Sequence, residues 1–484
     1  MNSQPSSRRL ALSAFAITSI ALFMVSLDNL VVTTALPVIK ASLGASLQQL
    51  EWTVNAYTLT FAVLLLTGAA LGDRFGRKRV FIIGVAVFTA GSAFAALAPT
   101  GDMLVLARAI QGIGAAIILP LTLTILSASV PAERRGLALG MWGAIAGLAI
   151  ALGPLVGGAI VEGLSWQWIF WLNVPTGIVL VPLAAILLVE SHGPDATLDL
   201  PGLGLSGAGL FALVWALIHG NELGWTSTAI VGAIIGSAAI LVAFVAWEAR
   251  TPSPMLPLRF FRSRAFSAAN GVSLLMSFGL FGSIFLLAQY FQVAQGYTPL
   301  EAGLRTLPWT AMPIFVAPIA GILSDRTGSR PLLVVGMVLM SIGLAWIAAV
   351  ATPTTEYLVL VPAFILAGVG MSLFFAPVAN LVLSAVHPDE EGRASGANNT
   401  IREIGGVFGV AVLASVFSAN GGYTSPQDFV NGMVPAVWVG SAVLAVAALV
   451  ALTIPGKRRR MPALHLPEMA SVGQLSPIPV RADD

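Results

Sequence analysis

The chain has 484 residues, of which 57% are hydrophobic and 10% are charged, with a formal net charge of +2 and a mean hydropathy of +0.89. Soluble domains carry about 25% charged residues, so this composition excludes a soluble globular protein and indicates one embedded in lipid. The absence of cysteine excludes disulfides, thiolate chemistry and cysteine metal sites. The four histidines lie far apart in the sequence, and no His/Asp/Glu cluster has metal-ligand spacing.

Fourteen apolar runs are long enough to cross a bilayer, because a transmembrane helix needs about 20 mainly apolar residues. The first run follows Arg8 and Arg9 directly and is too long for a cleaved signal peptide, so we expect a permanent span. The predicted spans, numbered 1 to 14, lie near residues 11–35, 51–71, 80–98, 103–127, 138–160, 168–189, 200–219, 227–247, 266–290, 301–323, 332–350, 357–383, 396–418 and 432–454. The pattern predicts an all-α integral membrane protein.

The positive charges predict which loops face the cytoplasm. If both termini lie inside, 20 of the 24 Lys and Arg residues fall in cytoplasmic segments, and the outer loops hold only Lys40 and Arg305. The other two, Arg108 and Arg402, fall inside spans. Because Lys and Arg are retained on the cytoplasmic side, we expect a multi-pass protein of the bacterial cytoplasmic (inner) membrane with cytoplasmic N- and C-termini.

The chain carries an internal duplication. Asp73 and Asp325, in two similar charged loops, are 252 positions apart, and Gly140 and Gly396 are 256 apart. Spans 1–6 therefore correspond to spans 9–14, and spans 7–8 are an insert. Two parallel six-helix halves are a common transporter plan, with the substrate site at their interface. We predict an N-terminal bundle at 1–190, two inserted helices with a cytoplasmic linker at 191–264, a C-terminal bundle at 265–455 and a disordered basic tail at 456–484.

A dense charged loop, Gly72-Asp73-Arg74-Phe75-Gly76-Arg77-Lys78-Arg79, separates spans 2 and 3. Gly76 stands where the backbone must reverse, in a conformation that a side chain would hinder. A related motif, Asp325-Arg326-Thr327-Gly328, separates spans 10 and 11. Both loops lie between long apolar runs, which is typical of a membrane hairpin.

Four further sequence motifs lie on spans 1, 4, 5 and 6. They are Leu27-Asp28-Asn29-Leu30-Val31-Val32-Thr33-Thr34-Ala35-Leu36-Pro37, Arg108-Ala109-Ile110-Gln111-Gly112-Ile113-Gly114, the set Gly140, Gly153-Pro154 and Gly157-Gly158, and Trp166-Gln167-Trp168-Ile169-Phe170 with Asn173. Together with the charged loops, they resemble the motifs of the major facilitator superfamily in its fourteen-helix drug–proton antiporter branch, over nearly the whole chain up to about residue 455. The sequence departs from that pattern at Leu30, Thr33, Ala69, Ala149 and Gln167.

Asp28 is the strongest candidate for a proton carrier. A carboxylate inside a span costs about 2.5–3.5 kcal/mol on insertion scales and is a functional candidate by default. The resemblance ties Arg108 to proton coupling. Counted from the outer ends of spans 1 and 4, both residues lie about 9–12 Å deep at 1.5 Å per residue, so their contact is feasible. The alternatives are a carboxylate that only bonds a neighbouring helix, and a static ion pair that fixes spans 1 and 4.

Span 13 carries the adjacent charges Arg402 and Glu403. Neighbouring helical residues point about 100° apart, so we expect one to face the cavity while the other meets a neighbouring helix. The family usually has Gln at the Glu403 position. Glu403 is a candidate second proton site or a recognition site for a cationic substrate, and the alternative is an interfacial ion pair near the inner end of the helix.

The resemblance also implies a gate and a helix-packing face. Asp73 and Arg77 are expected to latch the two halves in the outward-facing state against the start of span 13 near Arg393, where a helix N-terminus favours an anion. The gating set is Gly72, Asp73, Arg74, Gly76, Arg77, Asp325, Arg326 and Gly328. The antiporter set on span 5 is Gly140, Gly153, Pro154, Gly157 and Gly158. Its glycines predict close helix contact, and the resemblance adds that this face seals the cytoplasmic side against leak.

Several polar side chains in or near the predicted spans are candidates for the lining of a substrate cavity. They are Asn55, Tyr57, Gln111, Gln289, Gln292, Asn398 and Arg402. Aromatic residues near span ends more often anchor helices at the membrane interface, and this alternative applies to Tyr57.

The resemblance implies a proton-driven exporter of small hydrophobic or cationic compounds. No Gly-x-x-x-x-Gly-Lys-Ser/Thr loop occurs, so neither ATP drive nor another cofactor is expected. A dedicated exporter of one natural product fits equally well, and a proton symporter for uptake is disfavoured by the resemblance of span 5 alone. A membrane-embedded enzyme would need catalytic side chains clustered at one depth, which the spans do not offer. The expected partners are a small-molecule substrate, protons and the lipid bilayer, without nucleic acid, and the expected state is a monomer.

Overall fold

A computed structural model describes residues 7–130, 132–193, 198–387 and 390–456. The fourteen predicted spans are confirmed. Their helices are Ser7–Leu43, Leu47–Phe75, Arg77–Ala96, Gly101–Ser129, Ala132–Gly163, Trp168–Trp171 with Asn173–Leu187, Leu200–Leu223, Thr228–Glu248, Arg264–Gln289 with a π-turn at Tyr290–Ala294, Pro299–Thr310 with Met312–Thr327, Ser329–Val350, Tyr357–Ser384, Glu391–Asn420 and Pro426–Leu452. A short 3-10 helix, Leu258–Arg262, precedes span 9.

Thirteen of these spans are long and apolar enough to cross a membrane, by length and composition. Span 5 contributes a shorter apolar helix, Leu152–Gly163, in the part whose side chains are described. Several helices begin before the predicted positions, since their polar first turns extend beyond the apolar run. Residues 457–484, which hold nearly all of the predicted tail, lie outside the described residues.

Two one-residue reversals show the duplication in the backbone. Spans 2 and 3 are joined by Gly76 with φ of 101°, and spans 10 and 11 by Gly328 with φ of 86°. An L side chain rarely adopts such angles, whereas glycine does so readily. At the other end of span 2, Ser46 and Gln49 form a capping box that allows a short loop. Both charged loops therefore turn the chain in the same way.

The short loops make successive spans antiparallel, so the bundle has two ends. We call the end with the charged loops the basic end, and the opposite end, with the loops at 44–46 and 295–298, the far end. The two halves meet along two seams: span 2 packs on span 13, and span 5 packs on span 10. Because span 2 corresponds to span 10 and span 5 to span 13, the two seams are equivalent under the duplication.

The inserted spans 7 and 8 lie beside one of these seams. Span 7 contacts the N-terminal half through Phe211, whose ring lies 5.5 Å from that of Trp52. It contacts the C-terminal half through Asn221, whose Nδ2 donates to the Ser415 carbonyl (2.5 Å) and the Ser418 hydroxyl (2.7 Å). Span 8 packs on span 7 and is mostly exposed on its other sides. The insert therefore touches both halves. Its division from the two bundles at residues 191 and 264 stays a prediction.

Candidate functional site

A buried ion pair joins spans 1 and 4. Arg108 Nη1 lies 2.5 Å from Asp28 Oδ2, and each side chain is only 1% exposed. The structure thus places in contact the two residues whose predicted depths agree. A charge pair withdrawn from water needs good geometry and further hydrogen bonds to offset its desolvation.

Amide and hydroxyl groups supply those further bonds. The second Asp28 oxygen accepts from Asn173 Nδ2 (2.7 Å) and from Gln111 Nε2 (3.2 Å). Gln111 Nε2 and Asn173 Nδ2 also donate to Ser92 Oγ, at 2.7 and 3.3 Å. Spans 4 and 6 therefore hold the amide donors that orient the carboxylate of span 1, and Ser92 of span 3 accepts from both amides. Gln111, predicted to line the cavity, belongs to this cluster.

Arg108 is held on its other side by span 2. Its Nε donates to the Thr53 carbonyl (3.1 Å), and its guanidinium lies 4.2 Å from the ring centroid of Tyr57. The Tyr57 hydroxyl donates to the Val25 carbonyl of span 1 (3.3 Å). If Asp28 were protonated, Arg108 would keep these partners and lose its counter-ion. The cluster can therefore exist in two charge states with different helix contacts.

The second candidate pair, on span 13, differs from the expectation. Arg402 Nη2 lies 3.0 Å from Glu403 Oε1, so the two adjacent residues bind each other rather than serving different neighbours. The expectation considered only the directions of the Cβ atoms, which differ by about 100°. The Arg402 side chain is long enough to reach around the helix to Glu403. Glu403 is 4% exposed, and its Oε2 has no hydrogen-bond partner. Its carboxyl lies within electrostatic range of the Tyr57 phenol of span 2.

The remaining predicted cavity residues divide into bonded and unbonded groups. Asn398 donates to Asn270 Oδ1 (3.1 Å) and Ser273 Oγ (2.8 Å), so it fastens span 13 to span 9. Gln292 Nε2, at the end of span 9, donates to the Thr34 carbonyl of span 1 in the opposite half (2.8 Å). Two further bonds are those of Gln289, which donates to the Phe285 carbonyl and accepts from the Tyr423 hydroxyl. Asn55 is fully buried, and neither of its amide atoms has a partner.

Glu51 is a buried carboxylate that sequence reasoning missed. It is 2% exposed, and its Oε2 has no hydrogen-bond partner. The predicted span 2 begins at residue 51, which made Glu51 a boundary residue, whereas the helix begins at Leu47 and buries Glu51 one turn inside. The capping pattern at Ser46 and Gln49 was the signal that would have revealed it.

The gating loop contacts the segment after span 6, and its predicted latch against span 13 in the outward-facing state stays a prediction. Asp73 pairs with Arg77 at 2.8 Å, one helical turn apart in the chain. The Arg77 N–H donates to the Ser191 carbonyl (2.9 Å), and the Gly193 N–H donates to the Asp73 carbonyl (3.2 Å). Among the described residues, the loop is thus joined to the segment after span 6 rather than to Arg393 of span 13. The prediction overlooked this segment because it has no periodic pattern.

Glu190 completes that junction. Its two carboxylate oxygens accept from the backbone N–H groups of Lys78 (2.9 Å) and Arg79 (3.2 Å), at the start of span 3. An anion at a helix N-terminus compensates the unpaired N–H groups there. A Cβ atom at Gly76 would lie 2.8 Å from this carboxyl, so the missing side chain makes room for it.

The other gating residues have local contacts. A Cβ at Gly72 would meet Leu121 of span 4 at 2.2 Å, and the Arg74 guanidinium lies 5.3 Å from the Phe75 ring. In the second copy, Arg326 lies at the exposed end of span 10. The side chain of Asp325 lies outside the described part of the structure.

The antiporter glycines of span 5 allow close contact with two other helices. A Cβ at Gly153 would lie 2.6 Å from Leu30, and one at Gly157 would lie 2.9 Å from the Val31 carbonyl. A Cβ at Gly158 would lie 2.3 Å from the Pro299 carbonyl of span 10. Any side chain at these positions would force the helices apart.

This glycine face continues across the seam. On span 10, a Cβ at Gly303 would lie 2.3 Å from the Pro154 carbonyl, and Glu162 Oε2 accepts from the Leu300 N–H (3.1 Å). These contacts lie toward the far end, whereas the resemblance implies a seal at the cytoplasmic side. The difference arises because the glycines occupy the second half of span 5, which runs toward the far end. Gly140 lies in the first half, and its surroundings are outside the described part.

Two repeated six-helix halves that meet along two seams, with a buried ion pair inside one half, define a secondary transporter. The sequence matches the model of the Major Facilitator Superfamily over residues 18–410 and again over 272–467. The chain belongs to this superfamily and is a multi-pass membrane transporter.

Its relatives include named resistance and export proteins. The multidrug resistance protein Stp of Mycobacterium tuberculosis is 36% identical over 405 residues, which cover 83% of this chain and 75% of that protein. The cephamycin export protein CmcT of Amycolatopsis lactamdurans is 37% identical over 461 residues, covering 93% and 94%. A crystal structure of an auto-inhibited peptide transporter of the POT family matches with a TM-score of 0.68 at 15% identity, covering 95% of this chain and 99% of that one, and supports the fold alone.

Proposed function

We propose that this protein is a proton-coupled antiporter that exports small hydrophobic or cationic compounds across the bacterial cytoplasmic membrane, as a member of the fourteen-helix drug–proton branch. The Asp28–Arg108 pair carries the proposal. It joins spans 1 and 4, is buried, and is hydrogen-bonded to groups of spans 2, 4 and 6 of the same half. A carboxylate at this depth is a functional group by default, and proton binding changes the contacts that hold spans 1 and 4 together.

The coupling step is a change of partner for Arg108. A proton from outside binds a carboxylate oxygen of Asp28, and the resulting carboxylic acid no longer neutralises the guanidinium. Arg108 then depends on the Thr53 carbonyl, Gln111 and the Tyr57 ring of spans 2 and 4. Loss of the proton to the cytoplasm restores the pair. Spans 1 and 4 are therefore more tightly joined in the deprotonated state.

The charge pattern supports an orientation with the basic end in the cytoplasm. In that orientation, the far-end contacts of Gly158 and Gly303 close the outer side of the seam between spans 5 and 10. Proton movement down the potential supplies about 2.3 kcal/mol per charge per 100 mV. With a neutral substrate each proton therefore draws on the potential, whereas one-for-one exchange with a monovalent cation moves no net charge and draws on the pH gradient alone.

A dedicated exporter of one natural product is the second candidate. It is favoured by relatives whose names specify a single compound class, such as the cephamycin export protein. Both candidates share the coupling mechanism, a monomeric unit and the division into bundles at 1–190 and 265–455, and they differ only in the breadth of the cavity.

The test uses inside-out vesicles with an imposed proton gradient and compares the native protein with Asp28→Asn. A panel of lipophilic cations and antibiotics should trigger proton release only when Asp28 is present. Asp102→Asn, an exposed acid at the far end, is the matched control and should behave like the native protein. Substrate-driven proton release that persists in Asp28→Asn would contradict the assignment.

A further inference from the structure

The charges buried in the bundle do not balance. Four acidic side chains, Asp28, Glu51, Glu248 and Glu403, are each less than 5% exposed, in spans 1, 2, 8 and 13. Glu248 lies at the basic end of span 8, where its Oε2 accepts from the Leu256 N–H (2.9 Å). Asp28 is neutralised by Arg108 and Glu403 by Arg402, whereas no described residue forms an ion pair with Glu51. An unpaired charge is costly away from water. Glu51 must therefore carry a proton or receive a cation from outside the chain.

A second unbonded group lies beside Glu51. Asn55 follows four positions later, so the two side chains share one face of span 2 about 5–6 Å apart. Asn55 is fully buried with both amide atoms unpartnered, and Glu51 Oε2 is unpartnered as well. Among the described residues, Asn55 alone has two buried side-chain atoms without a partner. Buried polar groups nearly always have a partner, so Asn55 together with Glu51 on the same face indicates a place where a ligand supplies it.

The same face reaches the opposite half of the protein. Tyr423, between spans 13 and 14, lies within electrostatic range of Glu51. Burial raises the pKa of the Tyr423 phenol, and the nearby Glu51 carboxylate raises it further. The phenol therefore stays protonated and donates to Gln289 Oε1 of span 9 (2.6 Å). A ligand bound at Glu51 consequently contacts groups from both halves.

The charged and titratable groups on elements packed against span 2 have other partners or lie at exposed ends. Lys40 of span 1 lies 3.3 Å from the Tyr423 ring centroid, and His219 of span 7 bonds the Trp215 carbonyl. The others are Asp28 and Arg108, Arg402 and Glu403, Asp102 bonded to Gln49, the exposed Glu222, Glu391 and Arg393, and the basic-end group Arg77, Lys78 and Arg79. Glu51 thus has no internal cation among the described residues.

We propose that Glu51 and Asn55 form the recognition site for the positive group of an organic cation, and that Glu51 carries a proton when no cation is bound. This rests on the proposed export function and names its substrate class. The proton leaves the Glu51 carboxyl for water as the cation arrives, and the carboxylate then pairs with the cation. The Asn55 amide oxygen adds a second acceptor for a protonated amine. Neutral compounds of similar shape do not require the Glu51 charge.

The experiment measures binding to purified full-length protein, using tetraphenylphosphonium and the neutral triphenylphosphine oxide as probes. Glu51→Gln should weaken tetraphenylphosphonium binding at pH 8 at least tenfold and leave the neutral probe within twofold. Native binding of the cation should weaken as the pH falls, because protons compete for Glu51, and Glu51→Gln should lose that dependence. Glu51→Asp, which keeps the charge, should retain more of the affinity, and Glu356→Gln at an exposed far-end position is the matched control.

Two results would overturn the inference: native protein that does not bind the cation, or Glu51→Gln that binds it as tightly as native protein does at pH 8. Failure of the export proposal looks different. In that case both probes bind as expected, yet neither moves protons in inside-out vesicles, and Asp28→Asn changes nothing.

Discussion

Spans 4 and 12 occupy equivalent places in the two halves, yet one holds charge and the other holds aromatic packing. At a separation of 256 positions, Arg108 and Gln111 correspond to Phe364 and Ala367. Phe364 is fully buried, with ring centroids 6.0 Å from Trp309 and 5.8 Å from Phe291. The two helices therefore keep the same place in the fold but carry different side chains at equivalent positions. At this place the N-terminal half carries the Asp28–Arg108 pair and the C-terminal half carries aromatic packing, while the ion pair of the C-terminal half, Arg402–Glu403, lies on span 13.

The largest effect is expected from Arg108→Gln, which leaves Asp28 buried without its counter-ion. Breaking a buried pair costs about 3–5 kcal/mol, so the thermal stability of the purified protein should fall and substrate-triggered proton release should cease. The double variant Asp28→Asn/Arg108→Gln should recover stability but not coupling. Arg305→Gln, at a far-end arginine outside the cluster, is the control. If Arg108→Gln were as stable as Arg305→Gln, the stability of the N-terminal half would not depend on the Asp28–Arg108 pair.

Phe364→Ala tests the apolar side of the comparison. Removing this ring leaves a cavity and should cost about 3 kcal/mol of stability, seen as a lower unfolding temperature in detergent. The number of protons exchanged per substrate should stay unchanged, because no titratable group is lost. Phe315→Ala, at a 64% exposed position of span 10, should cost much less. An altered proton ratio in Phe364→Ala would mean that the C-terminal half takes part in coupling.

Gly158→Ala acts on the seam that joins the unlike halves. The added methyl group meets the Pro299 carbonyl, which is backbone and cannot turn away. Overpacking of this kind costs about 1–3 kcal/mol, so the closed far end should become less populated. Because the native chain has no cysteine, cross-linking of an added Glu162→Cys/Leu300→Cys pair measures that population. Gly163→Ala, with open space at its Cβ, should leave the cross-linking yield unaltered.

The smallest effect is expected from Glu190→Gln. The variant removes the negative charge at the start of span 3, an interaction worth about 0.3–1 kcal/mol. Hydrogen exchange at the Lys78 and Arg79 amides should become a few times faster, with stability nearly unchanged. Glu222→Gln, an exposed acid at the far end, should leave those amides as they are. Equal exchange rates in the two variants would show that the carboxylate does not hold the loop.

The spans and the meeting of Asp28 with Arg108 were accessible from the sequence because both depend on local quantities. Hydropathy defines a span, and a residue count at 1.5 Å per residue defines a depth. Gly76 and Gly328 were equally accessible, since a one-residue loop between long helices leaves little choice but glycine. The coupling role of the pair remains a prediction.

The rest depended on tertiary contacts or on side-chain length. Glu51 was missed because hydropathy places a helix end only within a turn, and one turn separates an exposed acid from a buried one. The separate roles expected for Arg402 and Glu403 were wrong because a long guanidinium arm can reach around the helix. The junction of Glu190 with span 3 joins residues 111 or more positions apart, and no periodicity in either segment predicts such a pairing.

The position of span 7 makes the two equivalent seams unequal toward the membrane. Phe211 and Asn221 of that helix cover the junction of spans 2 and 13, while in the described part of the chain spans 5 and 10 meet without an inserted helix beside them. For a lipophilic compound dissolved in the bilayer, the seam of spans 2 and 13 is therefore covered by span 7, whereas the seam of spans 5 and 10 has no inserted helix in front of it. The flank of spans 5 and 10 is therefore the one that such a compound would reach without passing an inserted helix.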